Sequence, residues 1–175
     1  DTPREPRMTG ASRRLRIVLH SNARDTVARE ASRALPFEAG GVLLGYREDG
    51  DIVVTDALAV RPDSAERRQY IRDDVRANAL LHNYLSSRDG DDLTGYVGEW
   101  HSHPQPVAPS GIDLRAIRAT AKGAQGPIAL LVCTPGSSSR FRGMVAKRAR
   151  FRRVSTEEAD VEVVGAAEAP LGPLP

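Results

Sequence analysis

Gly98-Glu99-Trp100-His101-Ser102-His103-Pro104, followed closely by Ser110-Gly111-Ile112-Asp113, is the stretch from which the rest of the chain can be ordered. Residues 94–102 read as a strand, and two histidines sit at its end in i, i+2 alternation, so both imidazoles project to one side. Three prolines make 103–109 an irregular loop with few backbone donors. Ser110 then opens a helix to about residue 122. Its S-x-x-D start is the signature of a capping box. A strand, a proline-rich turn and a helix start thus bring His101, His103 and Asp113 toward one point.

Working outward, residues 15–19 read as a strand. A helix follows to about residue 35, with Ser21 or Asn22 as its cap and Ala23, Val27 and Ala31 on one face. Residues 41–46 and 52–60 form a hairpin across Asp49-Gly50, a dipeptide suited to tight turns. Residues 61–68 are a polar loop, and 69–71 a short strand. A second helix covers 73–87, with Ala77, Leu81, Tyr84 and Leu85 on one side. The unbroken apolar run 128–133 predicts a strand covered on both faces. Residues 141–147 return as a strand, which 150–154 extend. Residues 1–13 are expected to be a flexible lead, 14–155 one domain, and 156–175, acidic and then rich in Ala, Gly and Pro, a disordered tail. The fold class expected is α/β, a mixed, mostly antiparallel sheet flanked by helices in an α-β-α layering.

Composition removes several function classes. The 175 residues carry a net charge of +2 and only 5% aromatics. That is a poor basis for nucleic-acid binding, despite the basic run Lys147-Arg148-Ala149-Arg150-Phe151-Arg152-Arg153. A single cysteine, Cys133, cannot form an intramolecular disulfide. It also excludes a zinc deaminase built on paired thiolates. No apolar run reaches the roughly 20 residues of a membrane span, and no signal peptide is evident, so a cytoplasmic location is the expectation. Met8 is a candidate natural start.

Two imidazoles and a carboxylate can hold one zinc and leave a position open, the arrangement of catalytic rather than structural sites. Such an ion lowers the pKa of bound water from about 15.7 to roughly 7. A carboxylate outside the ligand set is then needed as base. Glu38 is the candidate, because Gly40-Gly41 just after it allow close backbone approach. Glu99 competes by proximity, with a role in orienting a histidine as its alternative. His20 and His82 read as a strand end and a helix surface, and Cys133 as core.

Together these motifs resemble the JAB1/MPN/Mov34 metalloenzymes that carry the JAMM motif, also called MPN+ proteins, and the phrase around His101 is similar to bacterial members found beside E1- and E2-like enzymes in antiviral operons. The resemblance covers about residues 15–150. It implies one Zn2+ per chain on His101, His103 and Asp113, with Glu38 as acid/base and Ser110 stabilising the oxyanion. It further implies hydrolysis of the amide after the C-terminus of a ubiquitin-like protein or its conjugate, with E1/E2-like enzymes as possible partners. Two alternatives within the family are an inactive MPN-type scaffold and a peptidase processing a sulfur-carrier protein. Six residues separate His103 from Ser110, one fewer than the family's usual spacing. Placement of Ser110 is therefore the point for the structure to decide.

Overall fold

The computed structural model of the chain describes residues 14–61, 74–89, 92–149 and 153–165. In chain order these form β1 (Arg16–His20), α1 (Ser21–Ala34), β2 (Gly40–Glu48), β3 (Asp51–Ala59), α2 (Asp74–Ser86), β4 (Gly95–Ser102), α3 (Gly111–Gly123), β5 (Ile128–Thr134), β6 (Arg140–Arg148) and β7 (Val154–Val164). The strands pair in the order β1-β3-β2-β4-β5-β6-β7, and β1 pairs with β7 to close the sheet. Four of the seven pairings are antiparallel. The β1–β3, β1–β7 and β4–β5 pairings are parallel. This is the mixed α/β sheet with flanking helices that the sequence predicts, with a closure it does not reveal.

Burial explains the layering. Ala23, Val27 and Ala31 of α1 pack against Ile17, Leu19, Ile52, Val54, Trp100 and Leu131. On the other face, Ile117 and Ala121 of α3 pack against Ile128, Leu130, Val132 and Ala146. The apolar run of β5 is therefore divided by alternation. Ala129, Leu131 and Cys133 face the α1 core, and Ile128, Leu130 and Val132 face α3. Ala77 of α2 packs with Val42 and Val60. Leu80, rather than the expected Leu81, joins this cluster, while Leu81, Tyr84 and Leu85 are half-exposed.

The hairpin forms as its turn residues dictate. Asp49 and Gly50 hold φ of 49° and 86°, and Glu48 pairs with Asp51 across them. The cap of α1 does not form as expected. His20 occupies that position with no side-chain bond, and Ser21 is already helical. Asn22 instead donates to the Thr55 carbonyl at 2.7 Å and to Asp56 Oδ1 at 3.1 Å, tying the helix to β3.

The acidic segment after residue 155 is not a disordered tail over 156–164, because it forms most of β7. Ala159 and Val161 pack against the core between Glu158, Asp160 and Glu162, so the segment is a strand with one apolar edge in period two. Arg16 fixes the seam that β7 closes. It donates to Asp51 Oδ2 of β3 at 2.5 Å and to Glu162 Oε2 of β7 at 2.9 Å. Lys147 of the basic run pairs with Glu157 of β7 at 2.9 Å. The short strand expected at 69–71 lies outside the described residues, as do most of the proposed extension at 150–154 and the rest of the tail. No helix among the described residues is long and apolar enough to cross a membrane.

Candidate metal centre and its cleft

The site is assembled by the end of β4, the start of α3 and the segment entering β2. Within β4, Gly98 pairs with Leu43 and Tyr96 with Leu44, so Val97 is a bulge residue. That bulge lets both Val97 and Trp100 face the α1 core. Glu99 faces α3, where it accepts from Tyr96 Oη at 3.0 Å and from Thr120 Oγ1 at 3.2 Å. His101 and His103 continue on that side toward Asp113.

Both histidines are buried, at 7% and 6% exposure. The parallel ladder to β5 holds their strand, and the His103 N–H donates to the Cys133 carbonyl at 2.8 Å beyond the strand end. Their Nε2 atoms lie 3.0 Å apart, and each is 3.6 Å from Asp113 Oδ2. A tetrahedral ion with bonds of about 2.0–2.2 Å spaces its ligand atoms about 3.4 Å apart. Triangle and donor set therefore both fit a small divalent cation. Among the described residues, this is the group of three His, Cys, Asp or Glu side chains able to hold a metal ion. Among the described residues, His103 Nδ1 is buried without a hydrogen-bond partner. Leaving such a group unpaired costs about 1–3 kcal/mol, which the remaining contacts of the ring have to offset.

Asp113 is placed by the capping box that the sequence predicts. The Ser110 N–H donates to Asp113 Oδ2 at 2.5 Å, and the Asp113 N–H donates to Ser110 Oγ at 3.2 Å. Burial opposes charge on this carboxyl. His101 beside it and the bonds from Ser110 outweigh burial and hold its pKa well below the usual carboxylate range. Ser110 itself is exposed at the mouth of the site. The shorter loop therefore still delivers the serine.

Glu38 reaches the same point from another part of the chain. Its Oε1 is 4.0 Å from His103 Nε2. Glu38, His103, Ser110 and Asp113 line one open cleft of about 500 Å³, whose remaining wall is Pro104, Gln105, Val107 and Ala108. The close approach expected at Gly40-Gly41 is real at Gly41. A Cβ there would lie 1.8 Å from the Leu58 carbonyl oxygen and 2.8 Å from Trp100 Nε1. Trp100 Nε1 donates to that carbonyl at 3.2 Å, directly over Gly41.

The other histidines take the places read for them. His20 ends β1, largely buried, and His82 is exposed on α2. Cys133 is buried, which pushes its thiol up to about 11. One contributor escaped the sequence reading. Ser102, 1% exposed between the two histidines, accepts from the Ala39 N–H next to Glu38. Its i+1 placement between two ligand candidates was the available signal.

Comparison with known proteins agrees with this geometry. The chain is 25% identical over 155 residues to a probable metalloprotease, y4qB, of Sinorhizobium fredii, spanning 78% of this chain and 90% of the relative. It is 35% identical over 108 residues to the CD-NTase/cGAS isopeptidase of Enterobacter hormaechei subsp. hoffmannii, spanning 60% of this chain and 58% of that relative. The solution structure of DSY2949 from Desulfitobacterium hafniense shares the fold, with a TM-score of 0.62 at 20% identity over 85% of this chain and 93% of that one. The family described as prokaryotic homologs of the JAB domain matches residues 20–165, and the chain belongs to that family.

Proposed function

We propose that this protein is a zinc-dependent isopeptidase that cleaves the amide bond following the C-terminus of a ubiquitin-like protein. His101, His103 and Asp113 are the ligands, Glu38 the base and Ser110 the oxyanion donor. Membership of the JAB family makes it a hydrolase of peptide or isopeptide bonds. The observation that carries the finer reading is the triangle of His101 Nε2, His103 Nε2 and Asp113 Oδ2, with Glu38 Oε1 4.0 Å from one corner and outside the ligand set. The relative named as an isopeptidase supports a protein conjugate as the substrate class. E1- and E2-like enzymes are the class of partner that would build such a conjugate.

When bound, the zinc supplies Lewis acidity toward the scissile carbonyl and the attacking water. The chain supplies the rest. Glu38 accepts the proton of the attacking water and returns it to the departing amine, a transfer worth typically 10²–10⁴ in rate. Ser110 Oγ–H donates to the oxygen that gains charge as the carbonyl is attacked, worth about 10²–10³. The Pro104–Ala108 wall of the cleft is poor in backbone donors, because prolines occupy 104 and 106.

The test uses a reporter fusion, a ubiquitin-like protein joined through its C-terminal glycine to a fluorescent protein. Cleavage at the junction should stop with chelator and return with added zinc. Cleavage that persists in chelator would contradict the proposal.

A further inference from the structure

Glu38 lies in the segment between α1 and β2, yet it has to meet ligands on β4 and α3. Its backbone is fixed on the side toward β2 through Ala39. The Ser102 N–H donates to the Ala39 carbonyl at 2.7 Å, and the Ala39 N–H donates to Ser102 Oγ at 2.8 Å. In an antiparallel hydrogen-bonded pair the second bond would go to the partner's carbonyl. Here the serine side chain takes it. The next pair along, Gly40 with His101, is ordinary ladder. Ser102 is therefore where the β2–β4 ladder ends, and its hydroxyl sets how the chain leaves the ladder toward Glu38. On the near side of Glu38, the Phe37 N–H donates to the Ala34 carbonyl at 2.8 Å.

We propose that Ser102 is a positioning residue for the reaction: its Oγ, by binding the Ala39 N–H, fixes the glutamate one residue earlier against the metal ligands that flank the serine. The inference rests on the reading of Glu38 as base. Its physical basis is that a side chain 1% exposed has one described use for its oxygen, and that use is a backbone group adjacent to Glu38. The histidines do not depend on this bond. The β4–β5 ladder and the bond from His103 N–H to the Cys133 carbonyl hold their strand. Removing Oγ should therefore release Glu38 and leave the ligand triangle in place.

The experiment compares Ser102→Ala, Glu38→Gln and the double variant in the zinc-loaded protein, with the same reporter fusion as probe. Ser102→Ala should lower kcat by about 10²-fold, the scale of an ångström-sized misplacement, with KM nearly unchanged and zinc content as in the parent. In the Glu38→Gln background it should cost nothing further, since the two residues act as one unit. Amide exchange followed by NMR reads the latch without turnover. The Ala39 N–H should lose protection in Ser102→Ala while the His103 N–H keeps it. If Ser102→Ala does not fold, Ser102→Cys carries the same test, because a thiol of similar shape is a weak acceptor.

Loss of zinc from Ser102→Ala, an additive loss in the double variant, or unchanged Ala39 exchange would each overturn the proposal. Full activity of Ser102→Ala beside an inactive Glu38→Gln would sink the serine alone. Full activity of Glu38→Gln would remove the base itself, and the proposal with it.

Discussion

Ser110 and Asp113 hold each other by two reciprocal bonds, N–H to Oδ2 at 2.5 Å and N–H to Oγ at 3.2 Å, and the same Oδ2 lies 3.6 Å from both imidazoles of the site. A capping box and a proposed metal ligand are thus one structure. The helix start holds the carboxylate in the rotamer that faces His101 and His103. A structural reading of S-x-x-D and a functional one need not compete.

That double duty separates two substitutions. Asp113→Asn keeps an acceptor for the Ser110 N–H, so the metal-free protein should melt close to the parent. Zinc affinity should fall by more than the 10–100-fold typical of losing only a residue that supports a ligand. Asp113→Ala should in addition lose about 1 kcal/mol of cap stability. Equilibrium dialysis with zinc and thermal melts of the metal-free proteins measure the two effects.

Glu38→Gln should leave zinc content at the parent level and lower kcat by about 10²–10⁴. Glutamine fills the same volume but accepts no proton. Elemental analysis paired with the fusion assay gives both numbers.

Gly41→Ala should destabilise the fold by about 3 kcal/mol or more, through backbone overpacking. The added Cβ has a carbonyl oxygen at 1.8 Å and an indole nitrogen at 2.8 Å, and neither is a flexible chain end. Urea unfolding checks it. The strand displaced by the clash also carries the Glu38 segment, so activity should fall together with stability.

Cys133 should be inert in the folded protein. Burial raises its thiol from 9.0 to about 11, partly offset by a bond with Ser139. Raised by that much, the thiol has a thiolate fraction near pH 8 about 10²-fold below that of an unperturbed cysteine, and the thiolate is the reactive form. Labelling with a thiol reagent at pH 8 should therefore follow global unfolding, and rapid labelling of the native state would contradict the burial.

Much of the site was legible because its signals are short-range. His101 and His103 declare themselves by strand alternation, Ser110 and Asp113 by the cap, and Asp49-Gly50 by the turn they require. Glu38 was read from the Gly40-Gly41 that follow it, with Glu99 as a competitor, and the choice stayed open there because the contact with His103 spans more than sixty positions of sequence, which no local pattern encodes. Two features were hidden for different reasons. The strand β7 was obscured by composition, as its four acidic residues outweighed the alternation of Ala159 and Val161. Its parallel pairing with β1, which closes the sheet, joins chain ends that no local signal relates. The cap of α1 failed as read because Asn22 found partners on β3, a tertiary bond that displaced a local one.

The central claim is one ion held by His101, His103 and Asp113 with Glu38 beside it and not bound to it. Anomalous diffraction at the zinc edge from crystals of the zinc-loaded protein tests it most directly. The account predicts a single strong peak within bonding distance of the two Nε2 atoms and the Asp113 carboxylate, with the Glu38 carboxylate facing it from outside that distance. A peak elsewhere, no peak, or Glu38 as a direct ligand would contradict it.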